Sequence, residues 1–286
     1  MQFLMQEPGK CNLKIHILDV RHRHRSSNVD TVRELADRIA KGLDAPFNKK
    51  TLPSMILYDE VGLLLYDKFS AETPEYYPFG AEMEILKMRA DEIVQVMHVR
   101  SNSAIVPGEV VVELGAGWNY RIISPWRRRT VSSPLRPGDT LLLGLSHDNK
   151  REELELTYDN PKGHNKVFVL NGLDVAGKTL GSPGLFDRDN WDFFRHYDED
   201  KRCIEGFYKC LRSYEISLPG YNRSVQFLQG EFVQVTVSTK YSESDISALL
   251  ADAQLKPIQH WVDSTNRHSL WLLERPLITT AQSPFA

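Results

Sequence analysis

The amino-acid sequence predicts an α/β protein with a doubly wound, Rossmann-like core and a second α+β unit. Three observations lead to this prediction. Residues 109–114 are mostly apolar and end at Gly115-Ala116-Gly117, as is typical of a buried parallel strand that enters a tight turn. Amphipathic helical patterns precede this run. Strand-like and helical segments alternate again over the C-terminal half.

The elements before the core begin with a short predicted strand over residues 15–20. A helix is predicted to start at Thr31, because Thr31-x-x-Glu34 has the form of a capping box. Helical periodicity predicts a second helix around residues 61–69 and a third over 81–97.

The elements after the core start with the turn Pro137-Gly138-Asp139, which leads into a predicted strand over residues 140–145. The stretch before that turn, residues 118–135, carries prolines and three consecutive arginines but no helical periodicity. The pattern then predicts a helix over 165–180, a loop over 219–230 and a helix that starts near Ser242 or Ser244. Predicted strands lie at residues 193–197, 204–211, 232–238 and 269–273.

The composition disfavours several classes of partner. The chain has 286 residues and a formal net charge of -3, so no overall field attracts nucleic acid or an anionic membrane. Its apolar runs are far shorter than the roughly 20 residues of a membrane-spanning helix. Cys11, Cys203 and Cys210 are odd in number and lack metal-ligand spacing, which favours reduced thiols. The N-terminal residues lack the pattern of a secretory signal, so we expect a cytoplasmic protein.

The turn after residue 114 is the candidate nucleotide-binding motif, with the acidic Glu113 just ahead of it. Glycines at such a turn let the backbone approach a ligand, because side chains there would block it. Alone the pattern is a weak signal, since a buried strand before any tight turn can show it. A full site also needs an acidic residue at the end of the next strand, and we recognise no such strand.

Motifs on both sides of this turn occur in a characteristic order. Ahead of it stand LPSMILYDEVG at residues 52–62, PEYYP at 74–78 and Glu82-x-x-Ile85-Leu86. After it come LRPGDTLLLG at 135–144, TYD at 157–159, NGL at 171–173, Asp189-x-Trp191 and VSTKY at 237–241. Together they resemble the histidine-specific, S-adenosylmethionine-dependent N-methyltransferases of the ergothioneine and ergot-alkaloid type. That family includes the fungal branch that N-methylates dimethylallyltryptophan. The resemblance covers most of the chain except residues 118–134.

The resemblance implies a truncated Rossmann-like methyltransferase core and a second α+β domain that binds the substrate. We place the core at residues 80–146 and the substrate-binding domain at residues 1–79 together with 147–286. The family has further strand-helix units after the glycine turn, and at about 30 residues per unit the stretch up to Pro137 is too short for them. The residues implied to bind the cofactor, S-adenosylmethionine, are Glu113, Gly115, Ala116 and Gly117.

The same resemblance implies the residues that bind the substrate. Tyr58 and Tyr76 match family tyrosines at the amino end of the substrate, and Tyr158 matches one that holds its carboxylate. A phenol suits both roles, because it can donate to a carboxylate or accept from an ammonium group. Thr236 stands where histidine-methylating members carry a glutamate that recognises imidazole, so a larger or aromatic amino-acid derivative fits better than histidine. Ser238 matches the serine two residues further on.

The implied activity is methyl transfer from S-adenosylmethionine to the amine of an amino acid or amino-acid-derived metabolite, in secondary metabolism such as alkaloid biosynthesis. The amine must be neutral to attack, and Tyr58 is the candidate group nearest that nitrogen. No metal site is expected. The alternative is an inactive remnant, or a misassembled gene product, that acts only as a binding subunit. The expected partner is a small molecule rather than nucleic acid or a membrane, and a homodimer stays open.

Overall fold

The structure, a computed structural model, describes residues 27–100, 135, 138–148, 150–158 and 163–276. The α-helices in these ranges are numbered in chain order, and two short 3-10 helices cover Ser54–Leu57 and Arg188–Asn190. The α-helices are α1 (Ser27–Leu43), α2 (Glu60–Glu72), α3 (Tyr77–Arg100), α4 (Arg151–Tyr158), α5 (His164–Thr179) and α6 (Glu243–Asp252). None of these described helices is long and apolar enough to cross a membrane.

The strands of the described ranges form three antiparallel sheets. One sheet has the order β1–β8–β7 and a second the order β2–β3–β6, while β4 and β5 form a separate hairpin. The strands are β1 (Thr140–Ser146), β2 (Trp191–Asp198), β3 (Cys203–Cys210), β4 (Tyr214–Leu218), β5 (Arg223–Phe227), β6 (Phe232–Thr239), β7 (Lys256–Val262) and β8 (His268–Glu274).

Most of the predicted elements are confirmed, but some of their boundaries differ from the prediction. Helix α1 begins at Ser27, so Thr31 lies inside the helix and its proposed role as an N-cap is wrong. Helix α6 does begin with a capping box, in which Ser242 and Asp245 bond each other's backbone N–H groups. The loop predicted over residues 219–230 is wrong in part, because β5 forms within it.

Predictions about the core have different outcomes. The chain combines helices with sheets, as the predicted α/β class requires. The predicted strands over residues 15–20 and 109–114, and with the latter the parallel sheet, lie outside the described residues. The predicted strand at 140–145 is confirmed as β1, but its neighbour in the described ranges is the antiparallel β8. Because β7 and β8 share a sheet with β1, a domain boundary at residue 146 divides that sheet, and the division into domains stays a prediction.

Helix α5 covers the β2–β3–β6 sheet, and its spacing of apolar residues explains why. Val169, Leu173 and Ala176 recur every three to four residues, and together with Phe168 they are buried. The helix comes close to its neighbours at Gly172, where a Cβ atom would lie 2.5 Å from the hydroxyl oxygen of Tyr208 and 2.6 Å from Leu57 Cδ2. No larger residue fits there unless its neighbours move.

A buried ion pair fixes the start of β6. Lys50 Nζ lies 2.6 Å from Glu231 Oε1, and the Glu231 side chain is fully buried. The second carboxylate oxygen accepts a hydrogen bond of 3.0 Å from the backbone N–H of Leu228. The pair thus joins the residue before β6 to the segment that runs alongside it, where the N–H of Leu52 donates to the carbonyl of Gln234.

The segment just after β6 runs beside the carboxyl end of β1. The N–H of Tyr241 donates to the carbonyl of Ser146 at 2.9 Å, and the N–H of Asp148 donates to the carbonyl of Tyr241 at 3.1 Å. The Asp148 side chain in turn accepts a hydrogen bond of 2.8 Å from Tyr197 of β2. The chain after β6 therefore joins the two larger sheets.

Candidate functional site

Two of the predicted substrate residues, Thr236 and Ser238, lie on one face of β6. Residues two apart on a strand point to the same side. Thr236 pairs with Gly206 of β3 and Ser238 pairs with Ile204. The next residue of β3 on that face is Tyr208, which donates a hydrogen bond of 2.7 Å to the carbonyl of Val169 in α5. Both hydroxyl side chains therefore stand on the side of the sheet that α5 covers.

Gly206 carries no side chain opposite Thr236, and the Thr236 hydroxyl fills the position that a Cβ atom would take. A Cβ atom at this glycine would overlap Thr236 Oγ1 and would lie 3.1 Å from the ring of Phe193. Any side chain at this position would therefore displace one of those neighbours. The missing side chain makes room for the Thr236 hydroxyl on the face of the sheet.

Tyr58 is held at the junction between the first 3-10 helix and α2. It is half-buried, and its ring centroid lies 5.3 Å from that of Phe168 in α5. The next residue, Asp59, caps α2 by accepting a hydrogen bond of 2.8 Å from the N–H of Gly62. The same Asp59 oxygen accepts a bond of 2.8 Å from the Asn171 side chain, which ties this junction to α5.

Tyr76 belongs to the same aromatic cluster as Tyr58. It is buried, and its hydroxyl lies 3.3 Å from that of Tyr66 on α2. The ring of Tyr66 is centred 5.6 Å from Phe168, which Tyr58 also contacts. We call Tyr58, Tyr66, Tyr76 and Phe168 the tyrosine cluster. It places three phenol groups within one small region.

The tyrosine cluster and the hydroxyls of β6 lie on the same side of the β2–β3–β6 sheet. Both pack against α5, the cluster through Phe168 and the sheet through the Tyr208–Val169 hydrogen bond. A second link is Tyr77, the neighbour of Tyr76, whose ring lies 5.7 Å from the ammonium group of Lys240. Lys240 itself donates to Ser238 Oγ at 3.1 Å. The structure thus places Tyr58, Tyr76, Thr236 and Ser238 on the side of the sheet that α5 covers.

The remaining predicted residues are placed in part or not at all. Tyr158 is the last residue of α4, one turn after Leu154, which is buried against Tyr77 and Ile204. The side chain of Tyr158 is outside the described part of the chain. The four residues predicted to bind the cofactor, Glu113, Gly115, Ala116 and Gly117, also lie outside the described residues.

Positively charged side chains are concentrated where β6 ends. Lys240 is fully buried, and the guanidinium of Arg267 lies 4.8 Å from the centre of the Tyr77 ring. His268, on β8, is also buried. Burial, followed by the influence of His147 and Lys240, lowers the pKa of His268 to about 3. This imidazole is therefore neutral at physiological pH.

Acidic and phenolic groups lie around Asp148, which follows β1, and around the start of α6. Burial and the hydrogen bond to Asp148 raise the pKa of Tyr197 well above its ordinary range. Arg202 forms two hydrogen bonds, of 2.5 and 2.6 Å, with the carboxylate of Asp245. Although burial opposes it, hydrogen bonds from Ser242 and Arg202 lower the pKa of Asp245. Among the described residues, no group of His, Cys, Asp and Glu side chains has the geometry of a metal site.

Three residues of the site were missed in the sequence. Tyr66 stands outside every motif quoted above, and only its place on α2 brings it to Tyr76. Gly206 was missed because its importance depends on pairing with Thr236, thirty residues away in the chain and adjacent only in the sheet. Lys240 was part of the VSTKY motif, but its burial and its bond to Ser238 are visible only in the fold.

Comparison with known proteins identifies the family. The sequence model of the histidine-specific, S-adenosylmethionine-dependent methyltransferases matches residues 35–124 and 126–275. The match covers well over half of the chain. It also includes most of residues 118–134, which the motif comparison had left out.

Similar proteins of known activity cover most of the chain. An L-tryptophan methyltransferase of Psilocybe serbica is 24% identical, over 90% of this chain and 97% of its own length. A histidine N-alpha-methyltransferase of Mycolicibacterium smegmatis is 24% identical, over 79% of this chain and 91% of its own. The N-methyltransferase benX of Aspergillus terreus is 42% identical, over 78% of this chain and 84% of its own.

The alignment to the Psilocybe protein runs over 355 positions, more than this chain has residues, so that relative carries segments without a counterpart here. S-adenosylmethionine, predicted as the cofactor, is confirmed as the cofactor of the matching family. The chain therefore belongs to the family of histidine-specific, S-adenosylmethionine-dependent methyltransferases.

Proposed function

We propose that this protein transfers a methyl group from S-adenosylmethionine to the amine of an amino acid or an amino-acid-derived metabolite in secondary metabolism. The observation that carries the proposal is that the tyrosine cluster packs on α5, while the β6 hydroxyls lie on the sheet face that α5 covers, with Tyr77 and Lys240 linking the two groups. The names of the relatives support it, because they include a tryptophan and a histidine methyltransferase.

The tyrosine cluster is suited to the amine and carboxylate of an amino acid. A phenol oxygen can accept from an ammonium group, and a phenol O–H can donate to a carboxylate. We assign Tyr58 and Tyr76 to the amine end, with Tyr58 nearest the nitrogen, and Tyr158 to the carboxylate. Before the nitrogen can attack a methyl group it must lose a proton, and a nearby oxygen that accepts the proton accelerates this step.

The face of β6 is suited to the substrate's side chain. Thr236 offers a neutral hydroxyl, which cannot pair with an imidazole N–H as strongly as a carboxylate does. A larger, aromatic side chain therefore fits this end better than histidine does.

When bound, S-adenosylmethionine supplies the methyl group. We propose that Glu113, Gly115, Ala116 and Gly117 hold its amino-acid end.

The wider setting is also part of the proposal. We place the cofactor core at residues 80–146, joined by β7 and β8, and the substrate-binding part in the remaining residues. The partner is a small amino-acid-derived molecule, the location is the cytoplasm, and a homodimer is compatible with this arrangement.

The first experiment is a calorimetric titration of the purified chain with S-adenosylmethionine and, separately, with S-adenosylhomocysteine. Saturable micromolar binding supports the proposal. Mass spectrometry of reactions with L-tryptophan, L-histidine and L-phenylalanine then identifies any methylated amine. A folded chain that binds neither cofactor form would overturn the proposal and favour the inactive binding subunit.

Tyr58→Phe tests the assignment at the amine. It removes one hydroxyl and leaves the ring on Phe168, so we expect kcat/KM to fall about 10²-fold or more while stability changes little. The matched control is Tyr221→Phe, which removes a hydroxyl that donates to Asp37 at 2.7 Å. Equal activity of both variants would contradict the role of Tyr58.

A further inference from the structure

Asn171 is a buried amide on α5 that holds the neighbour of the tyrosine assigned to the substrate's amine. It is only 4% exposed, and its Nδ2 atom donates a hydrogen bond of 2.8 Å to Asp59 Oδ1. Asp59 directly follows Tyr58 in the chain. The same oxygen accepts a bond of 2.8 Å from the N–H of Gly62. One carboxylate oxygen therefore joins α5 to the first turn of α2.

The same two helices also pack against the residue before Tyr58. A Cβ atom at Gly62 of α2 would overlap the carbonyl oxygen of Leu57, and one at Gly172 of α5 would lie 2.6 Å from Leu57 Cδ2. Tyr58 thus stands between a residue that both helices contact and a residue that both helices bond. Its backbone is fixed from both sides.

The hydrogen bond from Asn171 is the polar part of this arrangement. An amide N–H that donates to a carboxylate forms a stronger bond than a neutral pair does. Proton transfer depends steeply on position, since a displacement of about 1 Å can lower a rate about 10²-fold. A bond that fixes Asp59 to α5 therefore also fixes how far the Tyr58 hydroxyl lies from an amine.

We infer that Asn171 is a positioning residue, which acts through Asp59 to hold the Tyr58 hydroxyl at the distance from the substrate's amine that methyl transfer requires. The inference rests on the proposed function, in which Tyr58 is nearest the nitrogen. Because the bond fixes a reacting group, its loss lowers kcat and leaves the KM for S-adenosylmethionine nearly unchanged.

Asn171→Ala tests the inference, because it removes the donor and leaves the Gly62 bond that caps α2. The assay follows methylation of L-tryptophan, L-histidine or L-phenylalanine, whichever the unsubstituted protein accepts. We expect kcat to fall about tenfold. The matched control is Asn190→Ala, which removes another amide that donates to an aspartate, Asp187, at 3.5 Å. This control should keep the original kcat.

The double variant Tyr58→Phe/Asn171→Ala decides whether the effect passes through the Tyr58 hydroxyl. Once that hydroxyl is absent, the bond has no reacting group to position. Adding Asn171→Ala to Tyr58→Phe should therefore lower kcat by less than about twofold. A purely structural role would multiply the two losses, and a further tenfold loss in the double variant would overturn the inference. Thermal unfolding verifies that each variant folds, and Asn171→Leu replaces Asn171→Ala if the latter does not fold.

Tyr58→Phe alone distinguishes failure of the inference from failure of the proposed function. If it lowers kcat/KM while Asn171→Ala has no effect or an independent one, only the inference fails. If Tyr58→Phe keeps full activity, the assignment of Tyr58 is wrong and the inference falls with it. The same holds if the unsubstituted protein methylates none of the three amino acids.

Discussion

The two ends of the β2–β3–β6 sheet differ in what covers them. Near Cys210 lies an aromatic end, where Trp191 is centred 5.0 Å from Phe227 and its indole N–H donates to Tyr214 at 2.7 Å. Near Gly206 lies a polar end, with hydroxyls at Thr236 and Ser238 and the buried charge of Lys240. One end fills its space with rings, and the other combines a missing side chain with polar groups.

The difference indicates a division of labour within one sheet. Close-packed rings stabilise a fold but leave no room for a ligand. The buried polar groups at the other end are paired, as Lys240 is with Ser238, and they include residues that we propose bind the substrate. Changes at the aromatic end should therefore affect stability, and changes at the polar end should affect ligand binding.

Phe227→Ala should have the largest effect on stability. The Phe227 side chain is fully buried, and a cavity of this size costs about 3–5 kcal/mol. Urea unfolding measures the loss, with the half-exposed Phe79→Ala as a control that should cost far less. A loss of only about 0.5 kcal/mol at Phe227, as surface substitutions give, would remove the distinction between the ends.

Gly206→Ala should give a smaller loss of stability and a change in binding. Its Cβ would collide with Thr236 Oγ1, and overpacking of this kind costs about 1–3 kcal/mol. In a Thr236→Ala background the collision is absent, so the same substitution should cost clearly less. Additive effects of the two changes on the free energy of unfolding would show that the side chains do not meet.

Acid should destabilise the polar end through His268. Its pKa is about 3 in the folded protein and 6.5 when unfolded, so the unfolded chain binds the extra proton between these values. Stability therefore decreases as the pH falls through this window, by about 2 kcal/mol from pH 7 to pH 5. His268→Gln should reduce this loss, whereas the exposed His260→Gln should not. The free energy of unfolding is measured against pH for the unsubstituted protein and both variants. Identical slopes between pH 7 and pH 5 would contradict the assignment.

The hairpin of β4 and β5 shows why part of the fold escaped prediction. Pro219 and Gly220 indicated a loop, and Gly220 and Asn222 do adopt positive φ angles of 79° and 48°. Yet Val225 and Phe227 alternate with polar residues and are buried. So short an alternation of apolar and polar residues after a turn does not predict a strand by itself. The strand is recognised only from its packing, in which Phe227 contacts Trp191.

The candidate site was predictable where it depends on short motifs. Tyr58, Tyr76, Thr236 and Ser238 came from motif order, and the fold places them on the side of the sheet that α5 covers, while their roles stay a prediction. Gly206 and Lys240 could not be found in this way, because their significance depends on which strand lies beside which and on what is buried. Pairing between distant strands is a tertiary property that local patterns do not encode.

The contact between positions 206 and 236 constrains how such a protein could change its substrate during evolution. A side chain at position 206 collides with the threonine at position 236 opposite, so a change at 206 alone costs stability. A smaller residue at 236 removes the collision, so the route that changes 236 first avoids this loss. New specificities would therefore be reached along ordered routes, and the order is set by the register of two strands.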